Sequence, residues 1–129
     1  KNSEPNFWLS CILLDKEAMS RQVRSETEAL YISEAGKSCP TEILETLNQY
    51  NAEGRPIWKP MHMQPLYRMN DFITKEGSGR ARSNAYIKEN EVSGVSTDIF
   101  NRGLCLPSDN KMTPEQQDII IELIKRCFE

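Results

Sequence analysis

The chain has 129 residues, 38% hydrophobic and 27% charged, with a formal net charge of −3 and a pI near 5.3. That length suits one domain, which buries about two-thirds of its unfolded surface. The acidic balance argues against a generic nucleic-acid binder, and no apolar run reaches the roughly 18 residues of a membrane span.

The sequence opens on Lys1, shows no signal peptide, and enters a strand-like run within a few residues, as expected of a fragment. Phe7-Trp8-Leu9-Ser10-Cys11-Ile12-Leu13-Leu14 is a dense apolar run between Pro5-Asn6 and Asp15-Lys16. Its length and its ends favour a strand buried on both faces, with a buried helix as the rival. Residues 16–38 are polar and read as a surface excursion around a short helix, closed by Gly36.

Thr41 begins an amphipathic segment. Ile43, Leu44, Leu47 and Tyr50 share one helical face, Pro40 stops the helix on the left, and Gly54 offers a stop on the right. The chain then enters Arg55-Pro56-Ile57-Trp58-Lys59-Pro60-Met61-His62-Met63-Gln64-Pro65-Leu66-Tyr67, which holds the only histidine, one of two tryptophans and three of seven prolines. Prolines fix φ and remove donors, so this run is neither a long helix nor an interior strand. It reads as a short strand that breaks at Pro60 into a tight turn presenting Trp, Lys, His and Gln, a rigid display suited to a ligand.

Residues 70–94 have no steady period and read as a long irregular loop. Arg80 and Arg82, flanked by glycines, offer planar guanidinium forks for a phosphate; the bland alternative is a solvated loop. Residues 96–103 fit a short helical turn ended by Gly103, Leu104-Cys105-Leu106 a short strand, and Pro107 to Asn110 a turn. Thr113, Pro114 and Gln116 spell an N-cap, N1 proline and capping box, followed by Ile119, Ile120, Leu123, Ile124 and Cys127 on one apolar face. A small sheet with helices packed on one face, an α+β layer, buries these stripes most simply.

For chemistry, His62 is the natural acid–base or ligand-contacting candidate, although a lone histidine is more often structural. A metal site would need three or four ligands, and no nucleophile elbow supports a triad. Lys59 has no sign of the desolvation that prepares a Schiff-base lysine, and Trp58 either stacks on a planar ring or fills the core. Cys11, Cys39, Cys105 and Cys127 contain no C-x-x-C pair, against both a zinc cluster and a disulfide framework. Cys11, Cys105 and Cys127 sit among apolar residues and read as buried free thiols of a reducing cytoplasm. The residues alone stop at a ligand-contacting small α+β domain.

Arg55 to Pro65 resembles the R-P-x-W-K-P-x-H-x-Q-P segment of the DegT/DnrJ/EryC1/StrS aminotransferases. Gly103-Leu104-Cys105-Leu106-Pro107-Ser108 followed by Met112-Thr113-Pro114-Glu115 resembles that family's G-L-x-L-P-S … M-T-x-E tail. Two motifs in the right order, about 40 residues apart, make the likeness specific. It implies that residues 1–129 are the small C-terminal domain of a type I aminotransferase fold, with a mostly antiparallel sheet of about three strands.

It further implies a bacterial, cytoplasmic homodimer that uses pyridoxal phosphate to move an amino group from glutamate to a nucleotide-linked keto-deoxy sugar, for polysaccharide or glycan synthesis. The Schiff-base lysine and the ring-binding aspartate would lie in a large domain absent from this chain. The fragment alone is therefore expected to be inactive and to hold no cofactor. Trp58, Lys59 and His62 would face the nucleotide sugar, with Lys59 near the diphosphate and Arg80 and Arg82 as further diphosphate contacts. A same-fold sugar dehydratase and a non-catalytic sugar-nucleotide binding or dimerisation module are the alternatives.

Overall fold

A computed structural model describes residues 3–24, 29–67, 70–74, 77–80 and 94–129. In chain order the elements are β1 (Cys11–Leu13), β2 (Gln22–Arg24), β3 (Ala29–Tyr31), α1 (Pro40–Gln49) and β4 (Arg55–Pro56). They continue with β5 (Asp71–Thr74), β6 (Gly77–Arg80), α2 (Val95–Arg102), β7 (Gly103–Cys105) and α3 (Pro114–Arg126).

The main sheet has the order β1-β7-β4, antiparallel throughout. β7 takes the centre because all three of its residues are buried, which only a strand flanked on both sides can satisfy. Pro56 lies on β4, an edge strand, where a missing backbone donor is tolerated. Ile12 pairs with Leu104, and both turn towards a core of Leu14, Ile43, Leu47, Leu104 and Leu123. α1 and α3 close that core over one face of the sheet, so the expected α+β layer is present.

Helix ends follow local chemistry. In α3 the Gln116 amide donates to Thr113 Oγ1 (3.3 Å), and the Thr113 amide donates to Gln116 Oε1 (3.0 Å), which is the expected capping box. α1 starts with Pro40 at its first turn but stops earlier than expected. Asn51 adopts a left-handed φ of 57° and the Ala52 amide bonds the Leu47 carbonyl at 3.0 Å, so the chain turns before reaching Gly54. Gly54 is needed for contact instead: a Cβ there would lie 2.7 Å from Leu44 Cδ2.

Several expectations are corrected. The apolar run at residues 7–14 is not a strand buried on both faces. The strand is Cys11–Leu13, with Cys11 and Leu13 exposed, and Phe7 and Trp8, ahead of it, stand largely in solvent. The polar excursion carries an antiparallel hairpin, β2–β3, and no helix among its described residues. The hairpin gains its anchor from α2: Gln22 Nε2 donates to the Asn101 carbonyl (2.6 Å) and Arg24 Nη1 to the Phe100 carbonyl (2.9 Å). These side chains satisfy carbonyls that the end of a short helix leaves open.

Likewise, within the loop expected over 70–94, residues 71–74 and 77–80 are not irregular, and 81–93 lie outside the described residues. β5 and β6 pair from Asp71↔Arg80 to Thr74↔Gly77. Ile119 is exposed, leaving Ile120, Leu123, Ile124 and Cys127 as the packing face of α3, and Tyr50 is likewise exposed at the end of α1. Of the cysteines, Cys105 is buried as expected and Cys127 half-buried, whereas Cys11 is exposed against the reading from its neighbours, and Cys39 is buried as well. Among the described residues no helix is long and apolar enough to cross a membrane.

Candidate functional site

The proline-rich run leaves the sheet as β4 and crosses its outer face. Ile57 packs over Gly103, where a Cβ would lie 2.6 Å from Ile57 Cγ1 and 2.6 Å from the Ile99 carbonyl oxygen. Beyond Pro60 the chain makes two 3₁₀ turns, Met61–Met63 and Pro65–Tyr67. Gln64 Nε2 donates back to the Lys59 carbonyl (3.2 Å), and Met63 is buried at 3% exposure, which pins the turn.

Against this outer face lies a groove of about 780 Å³ whose lining includes Trp8, Arg55, Trp58, Lys59, Phe100 and Cys105. Trp8 and Trp58 face each other with ring centroids 5.5 Å apart and planes tilted by 40°. They remain 66% and 61% exposed, so the pair is a surface platform and not part of the core. Such rings gain by taking up a flat or apolar ligand. Arg55 is ion-paired with Glu53, so Lys59 supplies the groove's other positive charge.

His62 behaves differently. It is half-buried, and its Nε2 lies 3.1 Å from Thr97 Oγ1 on α2. Burial holds its pKa below the usual imidazole value, which favours its neutral form. The Thr97 hydroxyl also lies 3.8 Å from Met63 Sδ, so one side chain of α2 touches both inward residues of the turn. Thus the structure brings Trp58 and Lys59 together in the groove, while His62 reaches α2 and is not among the groove-lining residues.

Arg80 ends β6, its backbone opposite Asp71; Arg82 lies outside the described residues. Trp8, Arg55, Phe100 and Cys105 were not foreseen as groove residues. Trp8 carried no signal of it in the sequence, because only the strand order shows that β1 lies at the edge of the sheet.

The groove does not suit the pyridoxal ring itself. Among its described lining residues the carboxylate is Glu53, already paired with Arg55, so the donor set offers no separate acid for a pyridinium nitrogen. Nor does any cluster of three or more potential metal ligands occur among the described residues.

Fold and site together define a small α+β domain with an aromatic and cationic groove on the outer face of its sheet. No family model matches the chain. Over 89 residues it is 36% identical to the Bacillus subtilis (strain 168) protein named "Putative pyridoxal phosphate-dependent aminotransferase EpsN". The aligned segment covers 69% of this chain and 19% of that protein, so the chain corresponds to about a fifth of its relative's length.

Proposed function

We propose that this chain is the small C-terminal domain of a pyridoxal-phosphate-dependent aminotransferase of the DegT/DnrJ/EryC1/StrS type. Its substrate would be a nucleotide-linked keto sugar, with glutamate as amino donor. The observation that carries the reading is the position of Trp58 and Lys59: the first two residues of the W-K-P-x-H run stand side by side on an open groove beside Trp8.

A stacked base or sugar face would lie on the tryptophans, and a diphosphate would accept from the Lys59 ammonium. The cofactor would supply the electron sink for amino transfer and would be held elsewhere in the whole enzyme. This chain's own share is to bind and orient the substrate and to shield one side of it from water. His62, turned to Thr97, acts in this scheme by fixing the turn that carries Lys59. That revises its expected direct contact with the sugar.

The test uses the full-length enzyme. A charge-assisted hydrogen bond is worth roughly 1.5–3 kcal/mol, so Lys59→Ala should raise the KM for the sugar nucleotide by about 10- to 100-fold. The visible absorbance of bound cofactor should be unchanged. Loss of that absorbance, or an unchanged KM, would overturn the assignment.

A further inference from the structure

We propose that Cys11 and Cys105 are a redox-active thiol pair that closes to a reversible cross-strand disulfide on reaction with a low-molecular-weight disulfide such as oxidised glutathione. The two residues are direct partners in the β1–β7 register. The Leu14 amide bonds the Arg102 carbonyl (3.0 Å) and the Leu106 amide bonds the Ser10 carbonyl (2.8 Å). Bonded pairs alternate along an antiparallel ladder, so Leu14/Arg102, Ile12/Leu104 and Ser10/Leu106 are the bonded set. Cys11/Cys105 falls between them, in a non-hydrogen-bonded pair where Cα atoms approach to about 4.5 Å.

That separation lies at the short end of the range a disulfide spans, about 4.4–6.8 Å. The link therefore needs side-chain rotation and no movement of the strands. The sulfurs already stand 3.5 Å apart, Cys11 Sγ donating to Cys105 Sγ. Disulfides at the edge of the allowed geometry are the more easily reduced ones, which makes the link a reversible one.

Exposure assigns the order of events. Cys11 is open to solvent, whereas Cys105 is 2% exposed, and burial with the neighbouring Cys11 pushes the Cys105 thiol up to about 11. Cys11 thiolate attacks oxidised glutathione, breaking its S–S bond, forming a mixed disulfide and releasing one glutathione thiolate. Cys105, losing its proton, then attacks the Cys11 sulfur and displaces the second glutathione. Two protein thiols are oxidised to one disulfide, one glutathione disulfide is reduced to two thiols, and the two protons pass to the released thiolates. Cys127 has other partners, Thr46 Oγ1 and the Leu123 carbonyl, and Cys39 is fully buried. Because Cys105 also lines the tryptophan groove, closing the link redirects a side chain of that groove.

The experiment equilibrates the purified chain with oxidised glutathione, then with excess reduced glutathione, and counts thiols at each stage. The expected result is a fall from four free thiols to two, a peptide map joining Cys11 to Cys105, and recovery of all four on reduction. Cys11→Ser, a change at an exposed position, should leave its remaining three thiols unreacted. Cys105→Ser should stop at a glutathione adduct on Cys11; should that variant not fold, the wild-type map decides alone. A persistent adduct on wild-type Cys11, a link through Cys39 or Cys127, no reaction, or a link that resists reduced glutathione would overturn the proposal.

Discussion

Arg102 is the side chain whose removal tests the packing logic most directly. It sits in the last turn of α2, where its Nε donates to Asp98 Oδ1 (3.0 Å) and its Nη2 to Asp98 Oδ2 (2.6 Å). Its Nη1 donates to the Leu14 carbonyl at the end of β1. The two side chains are only 13% and 22% exposed, so this fork is worth more than an exposed i,i+4 pair of about 0.3–0.5 kcal/mol. It is worth less than the 3–5 kcal/mol lost when a fully buried pair is broken, because Lys16, 3.6 Å away, still faces Asp98. Arg102→Ala is therefore expected to cost about 2 kcal/mol.

With a urea m-value of about 1.5 kcal/mol/M for a domain of this size, the unfolding midpoint should fall by roughly 1–1.5 M at constant m. The pH profile supplies an independent check. Arg102 holds the Asp98 carboxyl below its ordinary pKa, with burial opposing and Lys16 adding to the pull. A depressed carboxylate contributes stability at pH values above its unfolded pKa, near 3.9, and loses it as pH falls through the lower folded value. The wild-type and variant curves should thus draw closer in acid, leaving only the share of the Arg102–Leu14 carbonyl bond. A midpoint shift of under about 0.3 M at neutral pH, or a gap at pH 2 as wide as that at pH 7, would refute this reasoning.

Other perturbations give sharp expectations. Gly103→Ala places a methyl 2.6 Å from the Ile99 carbonyl oxygen, which is backbone and cannot step aside; a loss of about 1–3 kcal/mol is expected in urea unfolding. Thr113→Ala removes the side-chain half of the α3 capping box and should cost about 1 kcal/mol, with Thr113→Ser restoring most of it. His62, whose pKa burial lowers, should titrate below 6.5 by NMR, and the stability tied to its neutral form should be present above that pH and be lost as pH falls through the lower folded value. Thr97→Val should move the His62 ring resonances and, by loosening the turn that carries Trp58, change the emission of the Trp8–Trp58 pair.

What could be read from the sequence was what local chemistry decides. The α3 cap depends on Thr113, Pro114 and Gln116 alone, and the structure reproduces it. The short strand at Leu104 was legible because an apolar triplet between Gly103 and Pro107 has few other uses. Residues 7–14 misled because hydrophobicity reports a preference for burial and not whether a second layer exists to bury against; Phe7 and Trp8 meet none. The β2–β3 and β5–β6 hairpins were missed because a hairpin's stability lies in its pairing and in distant anchors. For β2 these include Asn101 and Phe100, over 70 residues away. β5–β6 includes two glycines, Gly77 and Gly79, which strand preference counts against. His62 was recognised as important, but its partner Thr97 lies 35 positions on, and no spacing rule connects them.

The proline-rich turn divides its labour along its own length. Its inward residues, Met63 and His62, tie it to Thr97, while Trp58 and Lys59 stay outside in the groove. α2 is the common anchor: Thr97 holds the turn, Asp98 and Arg102 hold β1 through Leu14, and Gly103 leads directly into the central strand. Trp8 lies three residues before β1 and Trp58 three before the first 3₁₀ turn, so one short helix sets both walls of the groove. With prolines at 56, 60 and 65 limiting the backbone on one side, Trp58 is held facing Trp8 before any ligand arrives. Ordering an aromatic side chain and its segment on binding would otherwise cost of order 1 kcal/mol per group. The groove is a preorganised surface, and in the proposed function its specificity would rest on the spacing between two tryptophans and one ammonium.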